Sequence, residues 1–246
     1  MLERFDEDGL TAYRSPLLRG LGVPHLFTTR RGPRDFDLGA LDDRSRARLK
    51  LAAGAADARI AHVRQVHGAR CLRVGAGPLP AGDAEADALV TELADLLLCV
   101  HVADCVPILL ASADGGRVAA VHAGWRGIVA GVVERALDVL GAEGVTAAIG
   151  PCISAEHFEV GPEVAEAFAR AGLGDTVREQ PGARPHVDLR AAVEQQLRGR
   201  DVLRIDTSDR CTYRDAEEFY SYRRDVTHAG RGHTGRLGAL IGVREA

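Results

Sequence analysis

Apolar residues recur along this chain at two spacings, which predict different elements. Alternation with a period of two residues is typical of a strand with one buried face, and residues 60–67 follow it. Helical spacing puts Val164, Ala167 and Phe168 on one face of residues 163–171, which predicts an amphipathic helix. Further strands are predicted at residues 25–29, 71–74, 87–91, 101–110, 118–122, 145–149, 202–205, 219–224 and 237–243. Further helices are predicted at residues 44–53, 128–140 and 188–198.

The order of these elements favours an α+β fold with mixed or antiparallel sheets. Strands and helices are interspersed without a regular βαβ alternation, and several neighbouring strands are separated by short turns, which indicates hairpins. No Gly-x-Gly-x-x-Gly loop directly follows a predicted strand, and no Gly-x-x-x-x-Gly-Lys loop occurs. Dinucleotide-binding and P-loop folds therefore lack their motifs. We expect all 246 residues to form a single domain.

The composition of the chain limits the cellular compartment and the classes of binding partner that we expect. The chain is 46% hydrophobic and 27% charged, with a net charge of −4, so it offers no support for nucleic-acid binding. No apolar run approaches the roughly 18 residues that a membrane span needs, and the acidic start lacks a signal-peptide core. The five cysteines are widely spaced without a Cys-x-x-Cys pair. We therefore expect a cytoplasmic protein with free thiols, no membrane partner and a monomeric state.

Two apolar stretches, residues 101–110 and 118–127, carry the most informative side chains. A small polar turn at residues 111–117 separates them, so we predict a hairpin. Alternation places His101 and Cys105 on one face of the first strand, about 13 Å apart at a rise of about 3.3 Å per residue. This separation is too long for both side chains to bind one ion. The intervening Asp104 points to the opposite face, where we expect a turn residue or a supporting group.

Three side chains form the best candidate site for chemistry, namely His67, Cys105 and His122. Each lies at or near the end of a predicted strand, beside a glycine or proline turn, so they are expected to meet at one edge of a sheet. One thiolate and two imidazoles suit Zn²⁺, and three protein ligands leave a fourth position for water or substrate.

Residue type and spacing alone do not decide whether these three residues form a metal site. A cysteine in an apolar strand is more often a small core residue, and a histidine at a strand end is often a hydrogen-bonded surface group. The long intervals between the three residues also exclude a local zinc-finger pattern.

Five short motifs add a resemblance to a known family. They are Gln-Val-His-Gly at residues 65–68, Ala-Asp-Cys-Val-Pro at 103–107, His-Ala-Gly-Trp-Arg-Gly at 122–127, Gly-Pro-Cys-Ile at 150–153 with Phe-Glu-Val-Gly at 158–161, and Ser-Tyr-Arg-Arg-Asp at 221–225. In this order they closely resemble the YfiH-like, or laccase-domain, family. The chain departs from the family pattern at Val102 and Asp37, where the family has threonine and asparagine.

The resemblance implies a layered α/β/β/α sandwich with a zinc site whose ligands, and catalytic residues, are His67, Cys105 and His122. It implies phosphorolysis of purine nucleosides such as adenosine and inosine, with adenosine deamination and methylthioadenosine cleavage as further reactions. Nucleoside and phosphate are then the partners. The expected substrate-binding residues are Arg30, Gln65, Arg126 and Arg223, the arginines being suited to phosphate. A proton shuttle is not identified.

Other activities remain open at this stage. Family members have also been described as copper polyphenol oxidases, which makes copper an alternative metal, and as editing enzymes for cell-wall (peptidoglycan) precursors. A Cys-His hydrolase would instead use Cys105 as the nucleophile and His122 or His67 as the base. A domain that binds a partner without catalysis is a further alternative.

Overall fold

The computed structural model describes residues 1–32, 36–40, 42–81, 83–141, 143–179 and 182–244. The strands in chain order are β1 Glu3–Glu7, β2 Leu10–Arg14, β3 His25–Thr28, β4 Arg59–Ala61, β5 Cys71–Val74, β6 Ala88–Thr91, β7 Leu96–Val102, β8 Val106–Ala111, β9 Val118–Ala123, β10 Thr146–Ile149, β11 Val177–Arg178, β12 His186–Val187, β13 Arg204–Thr207 and β14 Leu237–Gly242. The α-helices are α1 Pro16–Gly20, α2 Asp43–Ala53, α3 Trp125–Val129, α4 Val132–Leu140, α5 Pro162–Arg170 and α6 Leu189–Arg198.

Twelve of these strands form two six-stranded mixed sheets that pack face to face. The first sheet has the order β1-β2-β3-β14-β7-β4, and the second has the order β13-β10-β8-β9-β6-β5. Helix α2 covers the outer face of the first sheet, and helices α3, α4, α5 and α6 cover the outer face of the second. The expected α+β fold with a layered α/β/β/α arrangement is therefore confirmed.

Strand β7 shows why this layering follows from the sequence. Leu96, Leu98 and Val100 face the second sheet, whereas Leu97 and Cys99 face helix α2. All five side chains are at most 2% exposed. Because both faces of the strand are covered, it is a continuous apolar run instead of an alternating one.

The stretch predicted as one strand at residues 101–110 is divided between the two sheets. Strand β7 ends in the first sheet and β8 begins in the second, so residues 103–105 cross from one to the other. Asp104 adopts a left-handed φ of 88° in this crossing. Its buried carboxylate accepts hydrogen bonds from the hydroxyl groups of Thr212 at 2.6 Å and Ser221 at 3.0 Å. The predicted alternation is therefore wrong at the crossing, because these bonds fix a turn there.

The strand predicted at residues 219–224 is also wrong. Residues 219–221 have no regular secondary structure, and a π-helical segment, Arg223–His228, follows them. The Arg224 guanidinium donates to the carbonyl groups of Thr212 at 2.7 Å and Phe219 at 2.8 Å. A side chain thus satisfies backbone groups that a strand would have paired with a neighbouring strand.

Two further elements are shorter than predicted. Of the strand expected at residues 60–67, only β4 is regular, because the chain then leaves the first sheet for β5 in the second. The helix expected at residues 128–140 is instead two helices, α3 and α4, separated at Gly131 with its left-handed φ of 80°. Within the described residues, no helix combines the length and the apolar character that crossing a bilayer would require.

Candidate metal centre and active site

The three predicted ligands converge where the chain passes between the two sheets. His67 lies in the connection from β4 to β5, Cys105 in the crossing from β7 to β8, and His122 near the end of β9. Their ligand atoms all lie within 4.8 Å of one another, and the two imidazole rings meet edge to face with centroids 4.8 Å apart. Among the described residues, this is the one group of three or more such side chains close enough to share an ion.

A fully buried carboxylate, Asp87, holds this group together. It accepts hydrogen bonds from the backbone N–H groups of His67 at 2.9 Å and Gly68 at 2.7 Å, and from Nδ1 of His122 at 2.8 Å. An ionised carboxylate only accepts, so Nδ1 of His122 carries a proton and Nε2 is the ring nitrogen that a metal would bind. Burial alone would raise the pKa of Asp87, but the hydrogen bonds from His122 and Gly68 lower it below its ordinary value.

Asp87 also stabilises the unusual backbone of the loop that carries His67. This residue has a left-handed φ of 59°, which is uncommon for a side chain with a Cβ. The N–H groups of Val66, His67 and Gly68 all point at the carboxylate. One buried charge therefore fixes the position of two ligands that are distant in the sequence.

Cys105 and His122 form a coupled pair. Burial opposes ionisation of the Cys105 thiol, but the charge and hydrogen bonds of His122 and then of His67 outweigh it and lower the thiol pKa. Burial likewise opposes the charged form of His122, but the Cys105 thiolate and Asp87 raise the pKa of this imidazole. The site therefore favours a thiolate beside a protonated imidazole. A metal would bind the thiolate and take the place of the proton on Nε2 of His122.

Two glycines in the turn after His122 permit the close packing of the three ligands. A Cβ on Gly124 would lie 2.8 Å from Cδ2 of His67 and 3.1 Å from Sγ of Cys105. A Cβ on Gly127 would lie 2.9 Å from the carbonyl oxygen of Gly68. Gly124, which precedes helix α3, and Gly127 within its first turn thus leave the space that the ligands and their loop occupy.

A cavity of about 710 Å³ opens over the three ligands. Its walls carry aromatic rings and guanidinium groups, contributed by Trp125, Phe158, Tyr222, Arg64, Arg126, Arg223 and Arg236. Such a volume is in the range of pockets for small organic ligands.

The predicted substrate-binding residues fall into different environments. Arg126 and Arg223 line the cavity, stacked over Trp125 at 4.3 Å and Phe158 at 5.2 Å respectively. Arg30 is not among the residues that line it. The Arg30 guanidinium donates to the carbonyl oxygen of Ala216 at 3.3 Å and stacks over the Tyr220 ring.

Gln65 lines the cavity, but its amide is engaged with the backbone of His101. Nε2 of Gln65 donates to the carbonyl oxygen of His101, and Oε1 accepts from the backbone N–H of the same residue, both at 2.7 Å. The amide group thus supports the cavity wall.

Sequence reasoning missed Asp87 as a residue of the site. It was included only as the first residue of a predicted strand, and no metal-ligand spacing points to it. Its position in the sequence could have indicated a role, because Asp87 directly precedes the buried strand β6. A carboxylate buried there needs several hydrogen-bond donors.

Comparisons with known proteins agree with this architecture. Residues 39–244 match a family described as multi-copper polyphenol oxidoreductase laccase. A purine nucleoside phosphorylase of Deinococcus radiodurans is 42% identical, with 95% of each chain covered. An adenosine deaminase, RL5, from an unknown prokaryotic organism is 40% identical over 61% of each chain. The crystal structure of YlmD from Geobacillus stearothermophilus superposes with a TM-score of 0.83 at 30% identity, covering 98% of both chains.

Replacing Asp87 by asparagine is expected to weaken metal binding by about 10- to 100-fold, the usual effect of losing a carboxylate behind a ligating histidine. The substitution removes the charge and turns an amide donor toward N–H groups that need an acceptor. The measurement is a competitive Zn²⁺ titration against a chromophoric chelator. The control is Asp114→Asn, because Asp114 also accepts from a backbone N–H, that of Gly116, but in the β8–β9 turn. Equal affinity in both variants would contradict this role for Asp87.

Replacing Gly124 by alanine is expected to lower Zn²⁺ affinity on the order of tenfold, because the added Cβ displaces His67 or Cys105. Gly124 has φ −76° and ψ 164°, which any residue adopts, so the effect would come from packing alone. In the control Gly20→Ala the added Cβ meets no atom within 4 Å. Circular dichroism checks that both variants fold. If Gly124→Ala binds Zn²⁺ like the wild type, the close packing is not required.

Proposed function

The chain belongs to the laccase-domain (YfiH) family, and on that basis we propose that it is a zinc-dependent purine nucleoside phosphorylase acting on adenosine and inosine. Methylthioadenosine cleavage and adenosine deamination are proposed as further reactions of the same site. The observation that carries the proposal is the convergence of His67, Cys105 and His122 below a cavity lined by aromatic rings and arginines. The names of the relatives from Deinococcus radiodurans and of RL5 point to the same two reactions.

The donor set suits zinc. Two imidazole nitrogens and one thiolate are the ligand types that Zn²⁺ prefers, and three protein ligands are typical of catalytic sites. When bound, zinc would supply Lewis-acid polarisation of an oxygen at its fourth position. His67, Cys105 and Nε2 of His122 would hold it, with Asp87 keeping the proton on Nδ1 of His122.

The cavity walls offer groups for both substrates of phosphorolysis. Arg126 makes no hydrogen bond or ion pair with the residues that the structure describes, so its guanidinium is available to phosphate. Arg223 donates from Nη1 to the carbonyl oxygen of Glu159 at 2.8 Å, which fixes its direction along the wall. Arginine forks hold phosphate oxygens bidentately, and two of them would balance the charge that develops in the reaction. The rings of Phe158 and Tyr222 provide apolar surface for a purine.

Two alternative activities use the same residues less well. A Cys-His hydrolase would need Cys105 as a free nucleophile, whereas a metal at the site would occupy that sulfur. Oxidation by several coppers would need further groups of ligands, and in the described ranges the single trio around Cys105 is the one such group. Editing of cell-wall precursors would use the same cavity, and no residue contact described above favours it over nucleoside phosphorolysis.

Cys105→Ala and His122→Ala are expected to lower turnover of inosine and adenosine by at least about 100-fold, because each variant removes a ligand. The measurement is product analysis after incubation with each nucleoside, with and without phosphate. Phosphate-dependent release of base indicates phosphorolysis, and phosphate-independent conversion of adenosine to inosine indicates deamination. Cys71→Ala, which removes a thiol outside the site, should keep wild-type turnover. Full activity in the two ligand variants would refute the proposed centre.

A further inference from the structure

His101 is a cavity-lining residue that the metal centre does not use. It lies near the end of β7, half-buried, and it is not part of the group formed by His67, Cys105 and His122. Neither of its ring nitrogens hydrogen-bonds to any other residue that the structure describes. Among the described residues, the one ring contact of His101 is with the exposed ring of His62, at 5.7 Å between centroids and tilted by 32°. A polar ring in a cavity wall without protein partners is available to a ligand.

Gln65 fixes the backbone of His101 from the open side of its strand. Strand β4 pairs with β7 only as far as Leu98. Beyond that point, no other strand in the described part of the chain pairs with this edge of β7. The Gln65 amide replaces the missing strand, since it donates to the carbonyl group of His101 and accepts from its N–H group. On the other edge, β14 pairs with His101 through Gly238. The backbone below the imidazole is therefore held from both sides.

The chemistry of the imidazole suits an uncharged ligand group. Burial lowers the pKa of His101 to about 4, and the nearby charges of His62 and Arg236 contribute in the same direction. At neutral pH the ring is therefore uncharged, with one N–H donor and one nitrogen acceptor. It differs in this from Arg126 and Arg223, whose permanent positive charges suit phosphate. The apolar side chain of Val63 also lines the cavity.

We propose that His101 hydrogen-bonds the purine base of the nucleoside, and that Gln65 is a positioning residue that holds it in place. This inference rests on the proposed nucleoside activity and adds a residue that selects the base. Because the contact is to the base and not to phosphate, His101 should affect the two substrates of phosphorolysis differently. The sequence predicted that Gln65 contacts the substrate directly. In this proposal His101 makes that contact, and Gln65 holds the backbone of His101.

The test compares steady-state phosphorolysis of inosine by wild type, His101→Ala and His62→Ala. His101→Ala should raise the KM for inosine about three- to tenfold, the range for one uncharged hydrogen bond, with the KM for phosphate changed less than about twofold. His62→Ala removes the neighbouring ring, which does not line the cavity, and should leave both values unchanged. His101→Asn, which keeps a donor and an acceptor, should recover part of the inosine KM. Zinc content should be equal in all four proteins.

Gln65→Leu should show the same selective rise in the inosine KM without loss of zinc, because it frees the backbone of His101. A general loss of folding or metal would instead affect both substrates. Histidine-selective NMR supplies a readout independent of turnover, with the His101 ring nitrogen resonances assigned by comparison with His101→Asn. Adding inosine should shift these resonances, whereas adding phosphate alone should not.

Two results would overturn the role of His101 while leaving the proposed function intact. They are an inosine KM in His101→Ala equal to that of the wild type, and His101 resonances that do not shift when inosine binds. Equal effects on the KM for inosine and for phosphate would also overturn it. If inosine neither reacts with nor binds to the wild type, both the proposed function and the role of His101 are wrong.

Discussion

The buried carboxylate of Asp87 is the interaction on which the site depends. It joins a loop between the sheets to an imidazole at the end of β9, and both elements supply a ligand. A buried charge costs free energy unless donors surround it, and here three backbone N–H groups and one imidazole do so. The same bonds hold His67 in its left-handed conformation and orient Nε2 of His122 toward the other ligands. The bonds that fix the loop therefore also position two of the three ligands.

The layered fold explains why the ligands meet at this edge. Chains that pass between two packed sheets must leave a strand ladder, and the backbone groups freed there need partners from side chains. In the crossing before Cys105, the Asp104 carboxylate accepts from the backbone N–H of Arg223, and the Asp104 carbonyl group accepts from that of Ile153. In the loop of His67, the Asp87 carboxylate accepts from the backbone N–H groups. Gly124 lets the turn after β9 approach both. His122 thus lies near the end of a strand, whereas His67 and Cys105 lie in connections that buried carboxylates fix through hydrogen bonds.

Much of the fold could be predicted from the sequence, and so could the convergence of His67, Cys105 and His122. The helices α5 and α6 were evident because their side-chain pattern reflects burial directly. Most of β7 was not predicted, because its apolar run is buried on both faces and does not alternate. The role of Asp104 as a turn or supporting residue was correctly predicted from its position. Asp87 was missed because its function lies in bonds to residues that are distant in the chain. The division of the strand at residues 103–105 was missed for the same reason, since donors from Thr212 and Ser221 set that turn.

The central claim is that His67, Cys105 and His122 bind one metal ion together. Zinc K-edge X-ray absorption on protein purified without added metal tests it most directly. The predicted spectrum shows one sulfur at about 2.3 Å, two imidazole nitrogens at about 2.0–2.1 Å and one further light atom, with the sulfur lost in Cys105→Ala. A metal shell without sulfur, or the same spectrum in Cys105→Ala, would contradict the claim.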